Sequence, residues 1–508
     1  MVKLVEFKGK QALKACGMKI PGGMLVTDIS QAQECPVPCV LKAQALVTGR
    51  KAKGLVRFAH TREQLDAHLN DLLGQKVGAF TVESVLVEEL IEIEREMFAA
   101  VILDDRSHRP VVIFSSLGGS GVEEIAREHP EAVAKLEVDF DRDLQDFEAR
   151  DLVRRAGISG KPQVKLGMAL VQLYKAFRKV EARSMEINPI VLTTDGNVWA
   201  CDCHLTVDDY AVFRHPELEV KIARELDHPA TDLEMIAFNV EKSDYRGTFY
   251  FMQLEQDFNK GEGFVGFHGA GGGGSMMSMD GLSSCGYRIA NFTDTSGNPP
   301  ASKVYRAAKI ILQQKNIDGY FASGSGVASQ EQFHSARGFV KAFRELDLNV
   351  PAVIRLGGNK EDVAIEILNK YCAELNAPLE AYGKDDSARF CAERLKAMID
   401  QPAREKREVR PIHNPDPPKD PCSFETVTGR VTIDNAKLTP EGRKAIIESC
   451  APGILEEKDG RVELNIPAED AKKGKCTECL ACEIASFEEG CNAVRIDLPI
   501  AGLNGQED

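Results

Sequence analysis

Apolar side chains recur every three to four positions over residues 164–180, which predicts a long amphipathic helix. The pattern then changes. Residues 184–204, SMEINPIVLTTDGNVWACDCH, read as an extended apolar run, a turn at Thr194-Asp195-Gly196-Asn197 and a returning strand over 198–203. In a strand, Glu186 and Asn188 share one face, and Asp202 lies across from them. Three oxygen ligands on one sheet surface suit magnesium bound to a nucleotide; a hairpin with polar edge residues would present the same pattern.

Upstream, helical spacing over residues 6–17 breaks at 18–23, and a short buried strand over 37–42 ends in Lys42. A basic glycine-bearing loop follows at 48–54, with Gly49 and Arg50 near its start, before a second strand at 55–58. Backbone N–H groups freed by glycine, with lysine and arginine beside them, are what a polyphosphate needs. Strands at 84–89 and 95–103 place Glu88 and Glu96 at strand ends, where a carboxylate accepts from a ribose hydroxyl or an exocyclic amine. A strand at 111–116 enters the glycine loop 117–121, which opens a helix at 122–129.

After a linker at 226–244 the period changes again. Strands at 263–267, 291–295, 319–322 and 352–355 alternate with helices such as 301–314 and 331–346. This alternation predicts a flavodoxin-type parallel sheet with ligands at the carboxyl ends of its strands. Glycine turns fall at three such ends: 269–275, which opens a Met-rich helix, 296–298, and 323–326 with Gly324 and Gly326.

Composition adds bounds. A chain of 508 residues divides into about three or four domains. Its net charge of −15 argues against a nucleic-acid surface. No apolar run approaches the length of a membrane span and the start is not signal-like, so a cytoplasmic protein without membrane insertion is expected. Of the 14 cysteines, Cys450, Cys476, Cys479, Cys482 and Cys491 crowd the end and include a CxxCxxC run, a spacing that points to metal.

Residues 1 to about 400 resemble the β subunit of succinyl-CoA synthetase and the nucleoside-diphosphate-forming acyl-CoA synthetases. The resemblance is carried by VLKAQ…GRKAKG at 40–54, VLVEE…REMF at 85–98, GGSGVEEIA at 118–126, MEINPIVLTTDGNVWACD at 185–202 and FRHPEL at 213–218. It implies an ATP-grasp domain (1–235) and a flavodoxin-like CoA-ligase domain (245–400). It further implies that Lys42, Gly49, Glu88 and Glu96 contact ATP or GTP, and that Asn188 and Asp202 hold Mg2+. Glu186 would face a phosphorylated histidine on an α-type CoA-binding partner, with CoA as co-substrate. The sequence departs from that family at Leu46, Thr48 and Lys51 in the phosphate loop, at Cys201–His204, and at the turn SGSGVAS. His204, His268 and His334 are read as ordinary polar or core residues, so the phosphorylated histidine belongs to the partner.

Residues 401–430, charged and proline-rich, read as an exposed linker. The remainder, 431–508, resembles the single-cluster ferredoxin-like module of electron-transfer-flavoprotein:quinone oxidoreductases, through Cys450-Ala451-Pro452-Gly453 and the CxxCxxC run ending Cys482-Glu483-Ile484. That resemblance implies Cys450, Cys476, Cys479 and Cys482 as ligands of one 4Fe-4S cluster, with Cys491 the alternative fourth ligand and zinc the alternative metal. The fold class expected is therefore α/β and α+β multidomain. The function expected is the nucleotide-binding β-type subunit of an acid-thiol ligase. Its alternative is an electron-transfer or scaffold subunit that docks a flavoprotein or ferredoxin; a purely structural cluster is a third possibility.

Overall fold

The computed structural model describes residues 1–47, 49–119, 122–226, 228–244, 246–324, 326–401, 406 and 408–503, without the side chains of residues 122 and 123. The chain forms two compact units, Met1–Ala230 and Thr231–Asp508.

The first unit carries two large antiparallel sheets and a two-stranded one, Lys76–Val77 with Phe80–Thr81. The larger has seven strands, in the order Val2–Leu4, His204–Val207, Ala182–Thr193, Ile93–Asp104, Arg109–Ser115 and Val133–Glu137, with Val198–Ala200 also paired to Ala182–Thr193. The predicted long helix is present as Lys161–Lys179, with Pro162 in its first turn and Arg178 and Lys179 in its last. Those positions suit the missing proline N–H and the helix dipole. Its stripe of Leu166, Leu170, Leu173, Tyr174 and Phe177 is buried with Leu152 and Val153 of the helix Asp146–Arg155. Each such side chain contributes roughly 1.5–3 kcal/mol by leaving water. The smaller sheet, Gly23–Val26, Val85–Glu89, Cys39–Ala43 and Val56–Ala59, is covered by Leu65, Leu69 and Leu72 of the helix Arg62–Leu72.

In the second unit five parallel strands stand in the order Arg288–Asp294, Phe264–Ala270, Gly319–Gly324, Ala352–Arg355 and Leu379–Tyr382, with Tyr250–Gln253 antiparallel at the edge. By chain order the parallel strands run 2-1-3-4-5, the flavodoxin-like arrangement, whose switch point lies between the first and third. Alternate residues go to opposite faces. Tyr320 and Ala322 join Val304, Phe339 and Phe343 in one core, while Val265, Phe267 and Phe321 join Leu282 and Leu395 in the other.

Three expectations are corrected. The stretch read as a linker at 226–244 contains the helix Asp232–Lys242, started by a reciprocal capping box between Thr231 and Glu234. The stretch read as an exposed linker over 401–430 is exposed at most of its described positions up to 421 but is anchored rather than free: Ile412 is 1% exposed, and Arg410 donates 2.8 Å to the Phe487 carbonyl and stacks over its ring. Nor does the cysteine-bearing region begin at 431. Its sheet starts with Pro421–Glu425 and continues through Arg430–Asp434 to Val494–Asp497. It is not a separate body either, because one hydrophobic core runs from Tyr320, Phe339 and Phe343 to Ile433, Ile446, Leu480 and Phe487.

Candidate functional site

The opening hairpin folds as its alternation requires, and its register sets the first unit's site. Ile190 pairs with Ala200, and further along Glu186 pairs with His204. The same register brings Asn188 opposite Asp202 across the irregular stretch between these ladders, where the Cys201 N–H bonds the Pro189 carbonyl at 3.1 Å. His204 thereby acquires a reason: it is the cross-strand neighbour of Glu186. Burial raises the Glu186 carboxyl above the usual carboxylate range, and His204 partly offsets this.

Beside this hairpin lies a buried ion cluster on the strand ends of the smaller sheet. Lys42 closes the strand Cys39–Ala43, and its Nζ lies 2.8 Å from Glu6 Oε1 and 3.0 Å from Glu88 Oε2 and also donates to the Cys201 carbonyl. Lys10, one turn after Glu6 on the helix Glu6–Lys14, donates 2.7 Å to each Glu88 oxygen and 2.8 Å to the same Cys201 carbonyl. Arg50 Nη2 donates 2.9 and 3.1 Å to the two Asp202 oxygens. It also lies 2.8 Å from Glu6 Oε2, close enough for an ion pair though not aligned as a hydrogen bond. Lys10, Lys42 and Arg50 thus balance Glu6, Glu88 and Asp202. Burial alone would raise Glu6, but Lys42, Lys10 and Arg50 outweigh it and hold its carboxyl below the usual range. Burial likewise opposes the charge on Lys42, and Glu6 and Glu88 reverse that, holding its proton.

Of the residues named from sequence, Lys42, Arg50, Glu88 and Asp202 meet in this cluster. Glu88 differs from its expected part, since both its oxygens are taken by lysines and neither is free for a ribose. Glu96 is exposed on the strand Ile93–Asp104, against Gly118, where a Cβ would lie 2.8 Å from its backbone carbonyl carbon. Asn188 donates 3.3 Å to the Gly119 carbonyl. Gly49 adopts φ +68° in open space, a conformation that favours glycine. Thr48, Ser120, Gly121 and Ser325, named in three of the glycine loops, lie outside the described residues. Sequence reasoning missed Glu6 and Lys10, whose signal was a Glu/Lys pair four apart in the first helix.

In the second unit, Gly324 ends the strand Gly319–Gly324 and Gly326 follows it. The Gly324 carbonyl accepts from Arg355 Nη1 at 3.1 Å, and Gly326 takes φ +79°. At the switch point a small cavity of about 10 Å³, room for about one water, is lined by His268, Thr295, Ser323, Gly324, Ser335 and Phe339. His268 is buried, 2.6 Å from the Tyr320 hydroxyl, and burial pushes its imidazole down to about 3, so it stays neutral.

The cysteine-bearing region gathers four thiols. Cys450 follows the helix Pro440–Ser449, and the N–H groups of Ile454, Gly453 and Leu455 face its sulfur. Cys476 receives the Glu478 N–H, and Cys482 lies in the first turn of the helix Ala481–Glu488. Burial pushes the Cys476 thiol up to about 12 and Cys482 well above the usual thiol range, with the charges of the other three adding to it for Cys482. The loop bearing them is held by the buried Glu478 carboxylate, which accepts from the Thr426 and Thr428 hydroxyls and the Thr428 N–H, each at 2.7 Å. Cys491 is engaged elsewhere: its Sγ lies 3.2 Å from the Ser486 carbonyl. Among the described residues, no three His, Cys, Asp or Glu side chains converge on a single-ion position.

An ATP-grasp domain model matches residues 3–192, and a model for the citrate-binding domain of ATP citrate lyase matches residues 258–395. The fold is similar to that of ATP citrate lyase from Methanothrix soehngenii solved with citrate and coenzyme A, with a TM-score of 0.65 at 18% identity over 78% of this chain and 99% of that one. These matches define an ATP-grasp domain followed by an α/β domain, in a fold like that of ATP citrate lyase. The chain is 34% identical to the β subunit of GDP-forming succinate–CoA ligase from Thermus thermophilus, over 72% of its own length and 93% of the relative's. It is 31% identical to the β subunit of the ADP-forming enzyme from Methanocaldococcus jannaschii, over 75% and 98%. The chain belongs to the succinate–CoA ligase β-subunit family. No helix among the described residues is long and apolar enough to cross a membrane.

Proposed function

We propose that this chain is the nucleotide-binding subunit of a nucleoside-diphosphate-forming acyl-CoA synthetase, paired with an α-type subunit that binds CoA and carries the phosphorylated histidine. The observation that carries the reading is the gathering of Lys42, Arg50 and Lys10 at one strand end, with Asn188 and Asp202 opposite each other in register beside it. The donor set fits ATP or GTP with Mg2+: cations for the phosphates, and Asn188 and Asp202 as oxygen ligands. Bound there, Mg2+ would offset negative charge on the transferring phosphoryl group. Lys42 and Arg50 bind and orient the phosphates by exchanging their carboxylate partners for phosphate oxygens. Glu186, its carboxyl raised by burial, orients the incoming imidazole or holds its proton. The exposed Met276, Met277 and Val327, near the glycine turns of the second unit, suit a surface covered by the α-type partner. Co-expressed with that partner, the chain forms ADP or GDP in a reaction that needs both acid and CoA; turnover by the isolated chain would overturn the reading.

The four thiols fit a 4Fe-4S cluster. They are half-buried, the charges of Cys450, Cys476 and Cys479 bear on Cys482, and backbone N–H groups face Cys450 and Cys476. Cys450 is the fourth ligand in this reading. Anaerobically purified C450S should lose iron and the brown absorbance near 400 nm while C491S keeps both. The reverse result would reassign the ligand, and a colourless protein with stoichiometric zinc would remove the cluster.

A second reading, as the electron-transfer subunit of a complex with a flavoprotein or ferredoxin, is favoured by the shared core of the cysteine region and the CoA-ligase domain. A reducible cluster without nucleotide binding would select it.

A further inference from the structure

The helix Phe333–Glu345 meets two sites. Its Ser335 and Phe339 line the switch-point cavity with Ser323 and Gly324. Another part of its surface meets the cysteine region through Lys341, whose Nζ donates 2.8 Å to Glu483 Oε1 and lies 2.8 Å from Glu345 Oε1. Both Lys341 and Glu483 are wholly buried. Glu483 directly follows Cys482, and its Oε1 also accepts the Ile496 N–H at 3.0 Å, which fixes that carboxylate in place.

Arg337 stands one turn before Lys341, so the two side chains share a face. It is half-buried, stacks over Phe333 at 4.7 Å and has no carboxylate partner among the described residues. Its guanidinium lies instead within electrostatic reach of Cys479 and Cys482. The Lys341–Glu483 pair joins the two helices next to Cys482, and Arg337 stands one turn from Lys341 on the same face. A half-buried cation without an anion is costly. The four thiols near it become its counter-charge only as thiolates, which a cationic iron–sulfur core would bind while leaving the whole site net negative.

Resting on the iron–sulfur reading above, we propose that Arg337 is the counter-charge of the cluster held by Cys450, Cys476, Cys479 and Cys482, and that it couples the cluster's redox state to the helix lining the switch-point cavity. Arg337 acts as a positioning residue. One electron from an external one-electron carrier of the flavin or iron–sulfur class adds one negative charge to the cluster and oxidises the carrier by one electron. A fixed guanidinium nearby favours the reduced form, and by reciprocity the reduced cluster holds Arg337 and its helix more firmly.

The test is a dithionite potentiometric titration of the anaerobically purified full chain, as wild type, R337Q and R337K, with iron and sulfide content measured first. R337Q is expected to keep the cluster and its spectrum but become at least tenfold harder to reduce, which is 59 mV for a one-electron couple. R337K, keeping the charge, should restore most of the difference. An unchanged potential in loaded R337Q, or an equal fall in R337K, overturns the proposal while leaving the cluster assignment standing. A wild-type chain without iron overturns both. Should R337Q fail to load, a loaded R337K at the wild-type potential supports the charge, and an unloaded R337K overturns it in favour of packing.

Discussion

Lys42 in the first unit and Lys341 in the second are both buried lysines held by two carboxylates, yet their settings differ. Lys42 belongs to a group of three cations and three carboxylates at a strand end, where Arg50 and Asp202 already reach towards the hairpin that bears Asn188. Lys341 is sealed, with 0% of its side chain exposed, between a helix of the parallel sheet and the helix that carries Cys482. A cation at a loop end can change partners when a ligand brings better ones, whereas a sealed cation can only hold two elements together. On the proposed reading, the same chemistry serves exchange in one unit and attachment in the other.

Breaking the attachment should have the largest effect. Lys341→Met leaves Glu483 buried without its cation and is expected to destabilise the second unit by about 3–5 kcal/mol, read by chemical denaturation. Adding Glu483→Leu should recover much of that loss, because two apolar groups need no partner. A comparable effect should follow from acid. Glu345 is held at about 2 against an ordinary 4.5, because Lys341, Tyr305 and Lys309 outweigh the opposing effect of burial. A depressed folded value means stability that is present above the unfolded value and lost as pH falls. The second unit should lose roughly 3 kcal/mol between about pH 4.5 and 2. Glu6, also depressed, makes the first unit fall in the same direction below about pH 4.5.

Glu6→Gln probes the exchanging cluster. It should cost the first unit about 1–3 kcal/mol, read by thermal melting, while retaining MgATP affinity, since Lys42 and Arg50 lose a competitor rather than a ligand contact. Lys8→Ala, which removes an exposed pair with Glu219, should change stability by about 0–1 kcal/mol. A large effect there would show that pairing itself, not burial, separates the two lysines.

Much of this was legible in the pattern of residues. The alternation over 184–204 foretold the hairpin and the facing of Asn188 and Asp202, because strand period and register leave little freedom. The alternation of strands and helices foretold the parallel sheet. The attachment of the cysteine region was harder to read, since it depends on tertiary burial of charges. Lys341 did carry a signal, a lysine inside the apolar run FVKAF over 339–343. Glu6 and Lys10 stand four apart in the first helix, a spacing common to surface pairs, and only packing shows them enclosed. The helix Asp232–Lys242 was announced by Thr231-Asp232-Leu233-Glu234, a capping box read as linker.

The claim that Lys42 is a cation in waiting for phosphate is tested most directly by calorimetric titration of MgATP and MgGTP into the full chain, wild type and Lys42→Ala. Saturable binding of at least one nucleotide by the wild type, weakened tenfold or more in Lys42→Ala, is predicted. Equal affinity in the two proteins, or no binding of either nucleotide by a folded wild type, would contradict it.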